Sequence, residues 1–308
     1  MKIFIKLKLI LNNHTYIDNE QFRNFIFCLL GEKEGSKWFL GILTLFSTFV
    51  VFNMYRIFTL LLIVISLNAE ENSNSSFKSN YSFSNINLNY LDWMQKTESS
   101  SDKSDFSYVG FEGGIGWNSV DLYGFFNIEN PTHTYNEESA DELRFSSLVD
   151  LDIEIKNSFK LHIQDYSLNS GSYYVNDFVV GIGYKLNTDY GLWVRPFLGV
   201  HHTYDSYYSG LNGYMAGWLL NYDFKLFKYK FNIFQWNEIE FGRDKTFYLD
   251  ENNQATGDGA KEGLNGALSI WMHFSKTYIM GMQYRYAKNK LGSQNYQSAV
   301  IYSLKYNF

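Results

Sequence analysis

The chain has 308 residues, 45% of them hydrophobic and 19% aromatic, with 25 Tyr and 27 Phe but only 2 Pro. That composition favours strands, and a mean hydropathy slightly below zero argues against a helical membrane protein. A formal charge of −6 with no basic cluster makes it a poor partner for nucleic-acid backbones.

The first 69 residues have the character of targeting material. Trp38–Phe52 and Ile57–Ile65 are apolar, and the second segment lies between Met54-Tyr55-Arg56 and Ser66-Leu67-Asn68-Ala69, ahead of the acidic Glu70-Glu71. A basic start, an apolar centre and a small residue predict a secretory signal cleaved after Ala69, although Leu67 is larger than the residue preferred two places earlier. The expected organisation is an over-long gene start or leader over 1–53, a signal peptide over 54–69, a short periplasmic segment over 70–81 and a barrel over 82–308. The alternative is an N-terminal transmembrane helix through Trp38–Leu67, which Asn53 and Arg56 interrupt. The single cysteine, Cys28, falls in the leader, so the mature chain has no thiol, which suits an oxidising envelope compartment. Of the 26 Lys and Arg, 7 precede Glu70, as do 4 of the 32 Asp and Glu; 19 against 28 remain, a net charge of −9.

From Ser82 onward, alternating segments of barrel-strand length recur between turn signals. About twelve strands are predicted: Ser82–Gln95, Asp105–Trp117, Val120–Glu129, Glu142–Ile155, Phe159–Leu168, Tyr174–Asn187, Leu192–Tyr204, Gly213–Leu226, Tyr229–Phe241, Gly263–Phe274, Tyr278–Lys288 and Asn295–Phe308. The second and third form the clearest hairpin. Val120, Leu122, Phe126 and Ile128 share one face, and Asp121, Tyr123, Phe125, Asn127 and Glu129 share the other. Large aromatics mixed with carboxylates suit a wet lumen opposite a lipid face better than the outer face of a soluble sandwich. Connections alternate in length, with Asn118-Ser119, Lys156–Ser158, Thr188–Gly191, Phe227-Lys228 and Ser275–Thr277 short. Lys96–Ser104, Asn130–Asp141, Asn169–Tyr173, Asp205–Asn212, Gly242–Glu262 and Asn289–Gln294 are mostly longer and more polar. This is the pattern of an all-β transmembrane antiparallel barrel with short periplasmic turns and longer extracellular loops. An even strand number then leaves both ends in the periplasm. Val300, Tyr302, Leu304, Tyr306 and Phe308 alternate out to a terminal aromatic, which resembles the signal that barrel-assembly machinery recognises.

Tyr108-Val109-Gly110-Phe111-Glu112 followed by Val120-Asp121-Leu122-Tyr123-Gly124-Phe125 is similar to the Tsx/OmpK family of nucleoside-specific outer-membrane channels, which carry an aromatic-Glu strand leading into an Asp-x-Tyr-Gly-aromatic strand. Tyr90-Leu91-Asp92-Trp93, Val180-Gly181-Ile182-Gly183 and Tyr306-Asn307-Phe308 extend the resemblance over most of Tyr90–Phe308. The loops depart from it, as does Phe126-Asn127-Ile128-Glu129-Asn130-Pro131. The resemblance implies a monomeric barrel in the outer membrane of a Gram-negative bacterium. It also implies passive diffusion of nucleosides or deoxynucleosides, no cofactor, and outer loops open to phage or colicin.

A nucleoside pairs a flat base with a hydroxylated sugar, so its path needs aromatic faces beside hydrogen-bonding groups. The predicted inward row of the hairpin supplies both in Glu112, Asp121, Tyr123, Phe125, Asn127 and Glu129. Asn89 and Trp93 on the first strand, Arg144, Asp150 and Asp152 on the fourth, Trp236 and Glu238 on the ninth, and Arg285 on the eleventh extend it. Gly110, Gly114 and Gly116 are expected to leave room in the pore. The alternative for each polar residue is a brace in the wall, since barrel interiors fill with mutually satisfied Asp, Arg and Tyr. Outward Trp117, Tyr222, Tyr284 and Tyr302 are expected at the membrane interfaces, and Met280 and Met282 in lipid.

Enzyme and metal readings find little support. His201 and His202 lie near Asp205, but adjacent strand residues face opposite ways, so no metal site is predicted there. His162, His273 and Ser275 make no recognisable lipase arrangement. Gly181-x-Gly183 lacks the helix of a dinucleotide site, and Asp250–Glu262 lacks the ligand spacing of a calcium loop. A barrel with a plugged lumen, serving as a structural or receptor protein, and a barrel enzyme remain the rivals to a channel.

Overall fold

The computed structural model describes residues 79–117, 119–135 and 141–308. The expected leader, signal peptide, cleavage site and Cys28, and most of the 70–81 segment, lie outside the described residues, as does Asn118 of the first turn.

Among the described residues twelve long strands follow in chain order: β1 (Tyr81–Trp93), β2 (Phe106–Gly116), β3 (Val120–Glu129), β4 (Arg144–Lys156), β5 (Phe159–Asn169), β6 (Tyr174–Tyr184), β7 (Leu192–Asp205), β8 (Ser209–Leu226), β9 (Tyr229–Phe241), β10 (Glu262–His273), β11 (Tyr278–Lys288) and β12 (Gln297–Asn307). Each pairs antiparallel with the next, and β1 pairs with β12 from Asn85↔Asn307 to Trp93↔Ala299, closing the ring. Closure satisfies every ladder from within the sheet, which a strand assembly in hydrocarbon requires.

Three local departures from the expected boundaries have physical causes. The sixth run breaks after Tyr184, because the Lys185 N–H donates to the Ser158 carbonyl of the neighbouring turn; Leu186–Asn187 then resumes pairing with β7. The expected loop Asp205–Asn212 contracts to three residues, since the Asp205 carboxylate accepts from the Tyr207 and Tyr208 N–H groups and turns the chain early. Single helical turns occupy two outer loops: α1 (Gln95–Glu98) and α2 (Lys245–Tyr248), the latter capped by the Asp244 side chain.

Short connections gather at one end, with Asn157 and Ser158 both at positive φ, as a tight two-residue hairpin requires. The first residue of β1 pairs with Gly116 beside the first short turn, and β12 ends opposite Asn85, so both barrel ends share that side. Strict alternation divides the wall. Leu88, Ile270, Met280, Met282 and Leu304 face outward and are exposed. Outward rings pair at both strand ends: Phe159–Tyr184 and Tyr278–Tyr306 near the short turns, Tyr174–Tyr204 and Tyr214–Phe241 near the long loops. An apolar band between two aromatic belts is the exterior of a membrane barrel.

Candidate functional site

The register carries one inward row around the ring. Asn89 opposes Tyr108, Tyr108 opposes Glu129 and Glu129 opposes Arg144. Deeper toward the short turns, Gly116 opposes Asp121, Asp121 opposes Asp152 and Asp152 opposes His162. On the far wall Trp236 and Glu238 lie on β9, two strands from Arg285 on β11. All fourteen residues expected on the solute path therefore share the interior face. Asn89, Trp93, Asp121, Asp150 and Asp152 are buried, while Glu112, Tyr123, Phe125, Asn127, Glu129, Arg144, Trp236, Glu238 and Arg285 keep accessible surface. An inward side chain in a closed barrel keeps accessible surface only toward the space inside the ring or its mouths, so this second group lines that space.

The buried group is tied up internally. Asp121 accepts from Lys160, from Lys185 at 3.3 Å and from the Tyr81 hydroxyl at 3.0 Å. Asp152 contacts His162 at 2.9 Å and Arg195 at 3.3 Å, and His162 stacks on Phe197 with centroids 4.2 Å apart. Desolvated carboxylates need such partners. Among the accessible residues, Glu112 accepts from Lys305 at 2.6 Å, the Tyr123 hydroxyl at 3.1 Å and Asn85 at 3.3 Å. Glu129 accepts from Arg144 at 3.1 Å and from Ser146 at 2.7 Å. Glu238 accepts from Gln164 at 2.7 Å, a tie from β5 to β9 between strands that are not sheet neighbours.

A third cluster at the long-loop end lies beyond the fourteen. Asp177, His201 and Glu240 meet there, with His201 3.0 Å from Asp177 and 3.9 Å from Glu240. Lys290, from the β11–β12 loop, reaches both carboxylates, and Arg243 lies 2.7 Å from Glu240. Burial alone lowers an ammonium pKa, yet Asp177, Glu240 and Asp258 together hold Lys290 well above the ordinary lysine value. Asp177–His201–Glu240 and Asp150–Asp152–His162 each bring three ligand atoms close enough for a metal ion, but Lys290 and Arg243 in one and Arg195 and Lys160 in the other already supply the positive charge. His202, as its strand parity requires, faces out and is exposed. Extending the inward row of β5 to Lys160 and His162, and that of β7 to Arg195 and His201, finds several of these groups. Lys290 and Arg243 come from loops, where period-two reasoning has no purchase.

One expectation is overturned. Gly110, Gly114 and Gly116 do not open the pore: a Cβ on Gly110 would sit 2.2 Å from Asn87 Oδ1, on Gly114 2.7 Å from the Phe83 ring, and on Gly116 2.1 Å from the Tyr81 ring. Larger neighbours on β1 lean across these positions and fill them.

The family model described as the nucleoside-specific channel-forming protein Tsx matches residues 88–308. The chain belongs to that family. It is a bacterial outer-membrane barrel of the channel type, and the matched span takes in nearly the whole ring, from within β1 to the terminal Phe308. Among solved structures, the chain is similar to the NanC porin (8% identity, TM-score 0.43, 72% of this chain and 98% of that one). It is also similar to LpxR from Salmonella typhimurium (9%, 0.41, 72% and 99%). The KdgM porin in complex with disordered oligogalacturonate follows (10%, 0.38, 72% and 99%). Likenesses this distant do not bear on function.

Proposed function

We propose that the barrel conducts nucleosides or deoxynucleosides passively, with the accessible inward row as their path. The observation that carries this is the pairing of aromatic faces with hydrogen-bonding groups on that row: Tyr123 beside Glu112, and Phe125 opposite Glu112 on β2. Stacking of a base on one aromatic contributes about 1–3 kcal/mol. Carboxylate and amide groups at neighbouring positions suit sugar hydroxyls, and affinity stays modest, as conduction requires. Family membership supports the same solute class.

A second reading, a barrel with a largely closed lumen, draws on the Gln164–Glu238 tie and on Lys290 anchored to Asp177 and Glu240. Conductance separates the two. In planar bilayers, Phe125→Ala is expected to weaken block by adenosine several-fold while lowering salt current much less. Equal loss of both identifies Phe125 as packing.

A further inference from the structure

Most basic side chains inside the barrel have a carboxylate within 4 Å: Lys160 and Lys185 meet Asp121, Arg195 meets Asp152, Lys305 meets Glu112 and Lys290 meets Asp177. Arg285 does not. Among the described residues it makes no hydrogen bond or ion pair, and its Nε is buried without a partner. Its guanidinium makes a cation–π approach to Trp236, 5.7 Å from the ring centroid.

The register explains why the guanidinium lies there. Trp236 opposes Ala267, Ala267 opposes Arg285, Arg285 opposes Ala299 and Ala299 opposes Trp93. Large side chains thus alternate with two fully buried alanines along one rung. Each alanine makes room for its neighbour to lean, so Arg285 crosses Ala267 toward Trp236. At the other end of the rung, Lys103 of the β1–β2 loop stands 5.9 Å from the Trp93 ring, again with no hydrogen bond or ion pair among the described residues. Its ammonium also feels the charges of Arg144 and Arg285, and more weakly the opposite charges of Asp258 and Glu129. Two cations with no carboxylate in ion-pair contact among the described residues, each over an indole, therefore share one rung near the long-loop end of the barrel.

We propose that this rung is a recognition site for a flat-ring solute carrying a compact oxyanion, with the ring against Trp236, the oxyanion on Arg285, and Lys103 adding positive charge from the other end of the rung. The assignment rests on the channel reading for its physiological setting, but not for its chemistry. A guanidinium offers forked donors that match phosphate or carboxylate, and charge-assisted hydrogen bonds of this type are worth about a factor of ten in affinity or more. An uncharged nucleoside leaves those donors unmatched.

Binding to the purified full barrel in detergent, followed by tryptophan fluorescence at low salt, tests this with four probes: adenosine, adenosine 5′-monophosphate, benzoate and inorganic phosphate. The monophosphate is expected to bind about tenfold tighter than adenosine, and Arg285→Gln to bring that ratio near one. Benzoate bound more tightly than the monophosphate identifies carboxylate as the native anion and still supports the site. A ratio near one in the unaltered protein overturns the proposal, as does inorganic phosphate binding as well as the monophosphate, because the ring then contributes nothing. Lys103→Gln, on a loop and outside the sheet, gives an independent arm should Arg285→Gln fail to fold; it is expected to lower the ratio several-fold, and an unchanged ratio counts against the rung. Conductance is measured separately: loss of current refutes the channel and leaves the binding result standing.

Discussion

Lys160 shows what a single interior residue does in this wall. Its ammonium lies on Asp121 and 4.0 Å from Asp152, and the residue is only 2% exposed. Removing one partner of such a buried group leaves uncompensated charge at a cost of about 3–5 kcal/mol. Lys160→Met is therefore expected to lower the urea midpoint of the folded barrel clearly, and Lys160→Arg to lower it less; an unchanged midpoint for the Met variant would show that Lys185 alone compensates Asp121. Lys103 makes a different prediction. Burial and the nearby Arg144 and Arg285 guanidiniums hold its pKa below the ordinary lysine value. The folded state thus releases this proton before the unfolded chain does, so across that alkaline window stability rises with pH while anion affinity falls. The monophosphate advantage is expected to shrink before free lysine would titrate, and Lys103→Gln to lack that step. Parity made the inward direction of Arg285 legible from sequence. Its lack of a counter-ion was not, because partners such as those of Lys290 or Lys305 come from loops or from distant strands.

At the scale of elements, β6 and β7 approach closely at Gly181, which opposes Gly199 directly. A Cβ on Gly181 would lie 2.0 Å from the Leu198 carbonyl oxygen, whereas one on Gly183 meets nothing nearer than 3.6 Å. Gly181→Ala is expected to reduce the yield of folded barrel, read as the heat-modifiable band on a denaturing gel, while Gly183→Ala folds normally; equal yields would remove the close-approach account. The two glycines look alike in sequence as one Gly-x-Gly strand. Only the identity of the opposing residue separates them, and that depends on register. Strand existence and direction were legible, because alternation from β1 to β12 is nearly unbroken and loop lengths alternate with it. The hairpin glycines were misread for a related reason: parity says which way a position faces, but not which neighbour leans over it.

At the scale of the whole molecule, the ring combines tightly paired buried clusters with an accessible inward row. The Asp121, Asp152 and Asp177 clusters brace the wall with buried ion pairs, and the accessible inward row carries the aromatic and hydrogen-bonding groups that a small solute requires. Family membership fixes the channel class, and the lumen chemistry supports a flat, hydroxylated solute. Single-channel recording in planar bilayers, with adenosine or thymidine added to one side, tests this most directly. The account predicts discrete conductance steps that nucleosides block saturably at modest affinity. Steps unchanged at saturating nucleoside, or no steps at all from correctly folded protein, would contradict it.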